Sequence, residues 1–431
     1  MSQYTLSGML IRDYQFNVPL DWQNPDPQQT IPLFSREIVD PSKDHQSLPL
    51  LLFLQGGPGC KSPRPLSSGL PWLSIALKTH RIILLDQRGT GRSARVNSQL
   101  IAQMTPEEGR DYLLHFRADS IVADCEHLRQ TRYKGVRWET LGQSYGGFIT
   151  LTYLSIAPQG LSGCYITGGL AGLHASADDV YKLTYQSVAE KNAIYYQRYP
   201  QDAKQIARIA DILAHQDIRL PDHSLLSLER FQSLGILLGS GSGLEQMHWL
   251  IEEALETTTP GQLSHTFLSQ VLHLSNYIDN PLYAVMHESI YGQSQQPTNW
   301  AAARIKETCS EFSTDKRPLM FTGEMIYPWM FKQIHALQPF AQTVEKLATY
   351  TGFTPLYKPD VLASNRVPVA AAVYQNDMYV PRTLSLDTAD HIPNLHTWVS
   401  NEFEHDGLRQ SPHVFMNLRQ MMFQQGGPLP A

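Results

Sequence analysis

Cysteine is scarce in this chain of 431 residues, which contains only Cys60, Cys125, Cys164 and Cys309. Because they are far apart and form no Cys-x-x-Cys pair, the sequence predicts neither a disulfide framework nor a cysteine-based zinc site. The 16 histidines also show no His-Glu-x-x-His or comparable ligand spacing. We therefore expect four reduced thiols and a function that needs neither a metal nor a cofactor.

The chain also lacks an excess of positive charge and long apolar segments. The 34 lysines and arginines are outnumbered by 40 acidic residues, so the formal net charge is −6 and no basic field suits nucleic acid. No stretch approaches the roughly 20 apolar residues of a membrane span, and the first residues lack the pattern of a signal peptide. We expect a cytoplasmic protein without nucleic acid or membrane partners, and the sequence leaves its oligomeric state open.

Strand-like and helix-like segments alternate over the first 170 residues. Apolar runs at 48–54 and 81–85 both lead into glycine-containing turns, as strands buried on both faces do. A helical pattern at 118–132 precedes a further apolar segment that ends at 143. Such alternation is typical of a parallel sheet covered by helices. Further strand-like segments lie at 14–22, 30–39, 163–167, 367–374 and 396–403.

The alternation stops between about 171 and 350. Helical patterns at 180–196, 202–214 and 244–256 dominate this part of the chain, and strand patterns return only near its end. We predict an α/β fold with a mostly parallel central sheet, built from two parts at 1–170 and 351–431. The segment 171–350 is predicted to be a large inserted helical cap domain.

Gly-Gln-Ser-Tyr-Gly at 142–146 follows a strand pattern and precedes a helical one. A Gly-x-Ser-x-Gly motif in this context is the signature of a nucleophile elbow, in which a sharp turn exposes the serine hydroxyl above the sheet edge. A plain strand-to-helix turn explains the pentapeptide equally well when it is considered alone. The motif makes Ser144 the candidate nucleophile.

An acid and a histidine follow later strands in the order that a serine hydrolase of this kind needs. Asp377 lies just beyond the strand pattern 367–374, and His405 lies between the pattern 396–403 and the turn signal Asp-Gly. His405 would take the proton of Ser144, and Asp377 would orient the ring and stabilise its charged form. Asp387, Asp390, His391 and His396 are weaker candidates because of their positions relative to the strands.

Backbone donors for the developing oxyanion are expected in two places. One is the N–H of Tyr145, directly after the nucleophile. The other is an N–H of the Gly-Gly-Pro-Gly loop at 56–59, where Gly56 and Gly57 are candidates and Gly57 is preferred. Losing one such donor typically costs about 2.7–4 kcal/mol of transition-state stabilisation.

Three motifs together resemble the proline iminopeptidase (prolyl aminopeptidase) family of α/β-hydrolase serine peptidases, which implies an α/β-hydrolase fold. They are Gly-Gly-Pro-Gly at 56–59, Asp-Gln-Arg-Gly-Thr-Gly-Arg-Ser at 86–93 and Gly-Gln-Ser-Tyr-Gly-Gly at 142–147. The resemblance extends to about His405, and the length and helical cap are similar to the larger branch of the family. The chain departs from the compact members at Gln55, where they carry His, and around Asp377, where the Asp and Pro of their motif are kept but the Arg is not.

The resemblance implies peptide substrates with a free N-terminus, whose amine needs carboxylates near the nucleophile. Glu324, followed by aromatic residues, resembles the cap glutamate of the family, and Glu288 resembles the second one more faintly. A solvated helix face or a salt bridge is the alternative for both. Tyr327 and Trp329 could wall an apolar pocket for a pyrrolidine ring, although a packed core is equally natural for them.

Four functions remain open at this level. The first is an aminopeptidase that releases N-terminal proline, and the second is a related peptidase that removes a tripeptide. The third is an esterase or amidase for small molecules, which would not need the cap glutamates. The fourth is a hydrolase fold that has lost catalysis and only binds, against which the complete set of serine, acid and histidine argues.

Overall fold

A computed structural model describes residues 2–66, 69–257, 259, 261–293 and 295–430. Nine strands form one sheet: β1 (Ser2–Leu6), β2 (Met9–Pro19), β3 (Thr30–Val39), β4 (Leu50–Leu54), β5 (Arg81–Asp86), β6 (Trp138–Gln143), β7 (Leu161–Thr167), β8 (Val369–Tyr374) and β9 (Leu395–Ser400). Their order across the sheet is β1-β2-β3-β5-β4-β6-β7-β8-β9. Pairing is antiparallel from β1 to β3 and between β3 and β5, and it is parallel from β5 through β4 to β9.

The helices before β7 include those that connect the parallel strands of the sheet. They are α1 (Pro71–Ala76), α2 (Ser98–Ile101), α3 (Pro106–Leu114), α4 (Ala118–Arg132) and α5 (Tyr145–Ile156). A long segment then leaves the sheet after β7 and returns at β8, although these two strands are parallel neighbours. The chain between them is therefore an insertion into the sheet domain.

The insertion is helical. Its helices are α6 (Ala177–Arg198), α7 (Asp202–His215), α8 (Leu228–Gln232), α9 (Gly243–Glu252), α10 (His265–Ser275), α11 (Pro281–Met286), α12 (Ala301–Thr308), α13 (Met330–Gln333), α14 (Ala341–Ala348) and α15 (Pro359–Leu362). Most of them pack around a large apolar core, which includes Tyr185, Phe231 and Phe321 and is joined by Phe116 of the sheet domain. Within the described residues, no helix is both long and apolar enough to cross a membrane.

Three helices follow β8: α16 (Arg382–Asp390), α17 (Gly407–Gln410) and α18 (Pro412–Gln424). Alternate side chains of β4 enter two different cores because successive residues of a strand point to opposite faces. Leu52 and Leu54 pack with α4 and α5 on one face, and Leu51 and Phe53 pack with α1 and α18 on the other. Burial on both faces explains the uninterrupted apolar sequence of this strand. Short 3₁₀ turns lie at Pro41–Lys43, Pro158–Gly160, Ser233–Gly239, Glu288–Tyr291, Ser310–Phe312 and Gln338–Phe340.

The strands differ from their predicted positions mainly at their ends. The pattern 396–403 corresponds to β9, which ends at Ser400 and leaves His405 in the following loop. The pattern 14–22 corresponds to β2, which begins at Met9, and β1 has no counterpart among the predicted strands. Because every residue of β1 is exposed, its sequence lacks the buried apolar pattern that predicts a strand.

Candidate active site

Ser144 stands at a sharp corner between β6 and α5. Its φ of 55° and ψ of −125° lie where residues with a side chain are disfavoured. The backbone N–H of Ser144 donates a hydrogen bond to the carbonyl oxygen of Thr167, at the end of β7, over 3.0 Å. The neighbouring strand therefore helps to hold the strained corner, and the side chain stays only half-buried.

Close backbone packing explains why the corner needs small residues. A Cβ atom on Gly146 would lie 1.9 Å from the carbonyl oxygen of Leu54, at the end of β4. A contact this short with backbone cannot be relieved by moving a side chain, so Gly146 allows α5 to start directly against the sheet. The last glycine of the Gly-x-Ser-x-Gly motif is thus required by packing as well as by the turn.

Asp377 and His405 form a buried pair beyond β8 and β9. The backbone N–H groups of Tyr379 and Val380 donate to Oδ1 of Asp377 over 2.8 and 3.0 Å. Oδ2 lies 2.7 Å from Nδ1 of His405, and both side chains are almost completely buried. Each carboxylate oxygen therefore has its own partner, which fixes the carboxylate relative to the ring.

The hydrogen bond to Asp377 assigns the proton on the His405 ring. A carboxylate accepts hydrogen bonds, so Nδ1 carries hydrogen and Nε2 is left as the basic nitrogen. Burial lowers the pKa of His405, but the charge and hydrogen bond of Asp377 outweigh this effect, and the pKa lies above its ordinary value. The ring is thus prepared to accept a proton at Nε2 and to hold the resulting charge.

Gly168 and Gly169, directly after β7, lie between the corner at Ser144 and the pair of Asp377 and His405. A Cβ atom on Gly168 would lie 3.1 Å from Nδ1 of His405 and 3.3 Å from Oδ2 of Asp377. One on Gly169 would lie 2.4 Å from the carbonyl oxygen of Ser144. The structure therefore gathers all three side chains at the same edge of the sheet. Two consecutive glycines after a predicted strand are a signal that could have indicated this close approach.

The Gly-Gly-Pro-Gly loop lies against Ser144. A Cβ atom on Gly56 would lie 2.9 Å from Cβ and 3.5 Å from Oγ of Ser144. The loop is fixed by Gln87, whose amide donates to the carbonyl oxygen of Gln55 over 2.8 Å. Tyr145 is the first residue of α5, so the helix itself does not use its N–H. Backbone donors therefore lie on two sides of Ser144, and the assignment of Gly56, Gly57 and Tyr145 to an oxyanion hole stays a prediction.

Glu324, from the insertion, lies near the loop that carries Asp377. Its Oε1 accepts a hydrogen bond of 2.5 Å from the hydroxyl of Tyr283, and the carboxylate is half-buried. Burial and then the charge of Glu324 raise the pKa of Tyr379, and the same charge acts to raise the pKa of His405. A Cβ atom on Gly323, directly before Glu324, would lie 3.2 Å from Cε of Met378, directly after Asp377. Glu324 therefore belongs to the part of the insertion that meets this edge of the sheet.

Known proteins match this chain over most of its length. A profile of the alpha/beta hydrolase fold matches residues 49–408. A proline iminopeptidase of Aeromonas sobria is 42% identical over 407 residues, which cover 94% of this chain and 95% of that protein. A proline iminopeptidase of Aspergillus aculeatus is 32% identical over 408 residues, which cover 92% and 90%. The chain belongs to the proline iminopeptidase family of α/β-hydrolases.

Membership of the proline iminopeptidase family confirms the resemblance that the three glycine-containing motifs indicate. The predicted fold class is also confirmed, because the profile match accompanies a mostly parallel sheet with a helical insertion. Among solved structures, a proline iminopeptidase of Mycobacterium smegmatis superimposes with a TM-score of 0.43 at 15% identity, over 96% of this chain and 98% of that one.

Glu288, the second cap glutamate suggested by the proline iminopeptidase resemblance, has a different environment from Glu324. It is buried, and its Oε1 accepts a hydrogen bond of 3.0 Å from the backbone N–H of Ala302, near the start of α12. Burial raises the pKa of Glu288 to about 7, although bonds from Ala302 and Thr298 act in the opposite direction. In this structure the carboxylate caps the N-terminus of a helix within the insertion.

Tyr327 and Trp329 pack inside the helical insertion. The Tyr327 hydroxyl lies 2.8 Å from that of Tyr185, and its ring stacks on Trp329 with centroids 6.1 Å apart. Tyr327 is buried and Trp329 is partly buried against the same core. These partners belong to the insertion, so the contacts themselves are those of a packed core. A role in substrate binding stays a prediction for both residues of this family member.

The contacts between the insertion and the His405 loop are not predicted from the sequence. The Tyr379 ring meets the His405 ring edge to face, with centroids 4.8 Å apart, and its hydroxyl donates to the carbonyl oxygen of Ile236. Lys191 of α6 forms an ion pair with Glu404, which directly precedes His405. Tyr379 follows Asp377 by two residues, which is a weak signal, whereas nothing local links Lys191 to Glu404.

Proposed function

We propose that this chain is a serine aminopeptidase that releases N-terminal proline from peptides. The observation that carries the substrate assignment is the position of Glu324, a half-buried carboxylate of the insertion whose charge acts on His405. A peptide with a free N-terminus brings a positive charge to within one residue of the bond that is cleaved. A carboxylate beside the catalytic pair pairs with that charge and thereby selects for the free amine.

The chemistry begins with attack of Ser144 Oγ on the carbonyl carbon of the N-terminal residue. His405 accepts the hydroxyl proton at Nε2, while Asp377 stabilises the imidazolium through Nδ1. Backbone N–H groups of Tyr145 and Gly57 stabilise the oxyanion. His405 then donates its proton to the departing amine, which leaves an acyl-enzyme on Ser144.

Water completes the cycle. His405 removes a proton from a water molecule as the water oxygen attacks the acyl carbon. The second tetrahedral intermediate then collapses, the bond to Oγ breaks, and His405 returns the proton to Oγ as proline is released. Two relatives named as proline iminopeptidases, which align with more than nine-tenths of this chain, support the substrate. The proposal includes a cap domain at 171–350 and a cytoplasmic location. It needs no cofactor.

The deciding experiment compares steady-state hydrolysis of a proline amide of a chromogenic amine with that of its N-acetylated form. Other aminoacyl amides, a tripeptide amide and a simple ester complete the series, and Ser144→Ala is the control. We expect cleavage of the free proline amide that both acetylation and the mutation abolish. Cleavage of only the tripeptide amide would favour a tripeptidyl peptidase, and equal cleavage of acetylated and free substrates, or of the ester alone, would favour an esterase or amidase.

A further inference from the structure

A cavity of about 450 Å³ lies where the sheet domain meets the insertion. Its walls come from the segments 59–64 and 89–96 of the sheet domain and 279–282 of the insertion. Four cationic side chains line it, and among the residues that line it in the described part of the chain Asp279 is the one carboxylate. The cations are Lys61, Arg64, Arg92 and Arg95.

Two of these cations form ion pairs with carboxylates outside the cavity lining. Arg64 pairs with Asp86 over 2.6 Å, and Arg92 pairs with Asp13 over 3.2 Å. The charge of Arg64 therefore contributes little net attraction for an added anion, whereas the charge of Arg92 is only partly compensated because Asp13 also pairs with Arg36 over 2.8 Å. Both pairs belong to the sheet domain and tie the loops around the cavity to its strands.

The other two cations, Lys61 and Arg95, are available to bind an anion. Arg95 donates to the carbonyl oxygens of Ile278 and Asp279 over 2.9 and 2.8 Å, which orients its guanidinium but does not neutralise it. Within the described residues, no carboxylate oxygen lies within 4.0 Å of the charged nitrogens of Lys61 or Arg95. Two uncompensated positive charges thus face one cavity, in a chain whose net charge is −6.

The cavity begins directly behind the loop that touches the nucleophile. Sγ of Cys60, which lines the cavity, would lie 3.3 Å from a Cβ atom on Gly57, and Asn280 donates to this sulfur over 3.4 Å. Gly56, on the other side of Gly57, contacts Ser144. An extended peptide spans roughly 3.3–3.6 Å per residue, so the end of a short peptide cleaved at Ser144 lies within reach of this cavity.

We propose that Lys61 and Arg95 bind the C-terminal carboxylate of short peptides, so that the enzyme prefers substrates of two or three residues with a free C-terminus. The proposal rests on the proposed aminopeptidase function. A carboxylate is the anion that every unmodified short peptide carries at the end opposite the cleaved residue. Arginine and lysine are suited to bind it because guanidinium and ammonium groups form charge-assisted hydrogen bonds with carboxylate oxygens.

The test measures kcat and KM for Pro-Gly-Gly, for its C-terminal amide, for the amide of Pro-Glu-Gly and for a chromogenic proline amide. The wild type is compared with the double variant Lys61→Gln/Arg95→Gln. The matched control is Lys204→Gln/Arg208→Gln, which removes the same two charge types from the exposed face of α7. All variants retain the catalytic residues, so the chromogenic substrate reports whether each of them is an intact enzyme.

We expect the wild type to cleave the free acid with a kcat/KM roughly tenfold above that of its amide, mainly through KM, as a charge-assisted contact provides. The cavity variant should lose this preference and the control should keep it, and added salt should weaken it in the wild type. The chromogenic proline amide has no carboxylate and should be cleaved equally by all three proteins.

Equal cleavage of acid and amide by the wild type would overturn the carboxylate site, as would a cavity variant that lowers activity on every substrate alike. Preference for the glutamate-containing amide over Pro-Gly-Gly would assign the cavity to an acidic side chain and overturn the C-terminal assignment. Failure of the wild type to cleave any proline substrate, the chromogenic one included, would instead contradict the proposed function.

Discussion

The edge of the sheet and the helical insertion position their polar groups in different ways. At the edge, the N–H of Ser144 donates to the carbonyl oxygen of Thr167 in the next strand, and Asp377 accepts from the backbone N–H of Tyr379 two residues away. In the insertion, Glu324 is held by a tyrosine hydroxyl and Glu288 by the N-terminus of a helix. The polar groups of the edge therefore depend on the strands and turns of the sheet itself, whereas the two glutamates depend on how the helices of the insertion pack.

This difference separates two kinds of expected mutational effect. Changes at the sheet edge should remove the chemical step for every substrate, because each acyl transfer uses the same nucleophile and base. Changes in the insertion should alter which substrates are accepted, or how stable the insertion is. The predictions below test this division, starting with the largest expected loss of activity.

Ser144→Ala should lower kcat by about 10⁴-fold or more, because the acyl-enzyme can no longer form. Alanine keeps the volume that the corner tolerates, so the fold should be retained. Single-turnover kinetics and thermal unfolding of the same preparation check both statements. Residual activity within tenfold of the wild type, in protein free of contaminating hydrolase, would exclude Ser144 as the nucleophile.

Asp377→Asn should lower kcat/KM by about 10³- to 10⁴-fold. The amide oxygen would stay with the N–H groups of Tyr379 and Val380, so the amide NH₂ would face Nδ1 of His405 and favour the tautomer with hydrogen on Nε2. The substitution should also move the acidic limb of the pH profile to lower pH. His405 must be neutral to act as a base, so activity falls as pH drops through its pKa, which Asp377 raises in the wild type. Asp387→Asn, an exposed change on α16, is the matched control, and an unshifted acidic limb in Asp377→Asn would contradict the pairing.

The same division explains what the sequence could predict. The apolar run of β4, the glycines around Ser144 and the order of acid and histidine are local or sequential signals, so they predict the sheet and a polar edge. The exposed strand β1 lacks such a signal, and the carboxylate of Glu288 bonds to Ala302, which lies 14 residues away in another element. Interactions of this kind depend on how the helices pack, so motif spacing does not predict them.

Glu324→Gln should reduce kcat/KM for a free proline amide roughly 100-fold, the size of one lost charge-assisted contact in a partly buried site. N-acetylated substrates have no charged amine and should be unaffected. Tyr283→Phe removes the hydrogen bond to Glu324 but keeps the carboxylate, so its effect should be smaller and in the same direction. A loss by Glu324→Gln that is equal for free and acetylated substrates would assign Glu324 to the fold and not to amine recognition.

Glu288→Gln should have the smallest effect on activity and a clear effect on stability. Burial raises the pKa of Glu288 from 4.5 to about 7, so between these pH values the folded state binds more protons than the unfolded state. Stability from this group is then complete below about pH 4.5 and is lost as pH rises to about 7, which amounts to about 3 kcal/mol. Glutamine stays neutral and keeps an oxygen for the N–H of Ala302.

The free energy of unfolding, measured by denaturant titration at pH 5 and pH 8, distinguishes the two possible roles of Glu288. If it caps α12, the wild type should lose more stability than Glu288→Gln between these pH values, and the substitution should change kcat/KM for the proline amide little at pH 8, where the wild-type carboxyl is ionised. If Glu288 instead binds the substrate amine as a carboxylate, Glu288→Gln should impair cleavage of the free amine as Glu324→Gln does, with parallel stability curves. That second outcome would mean that both cap glutamates bind the substrate amine and that Glu288 is not a helix cap.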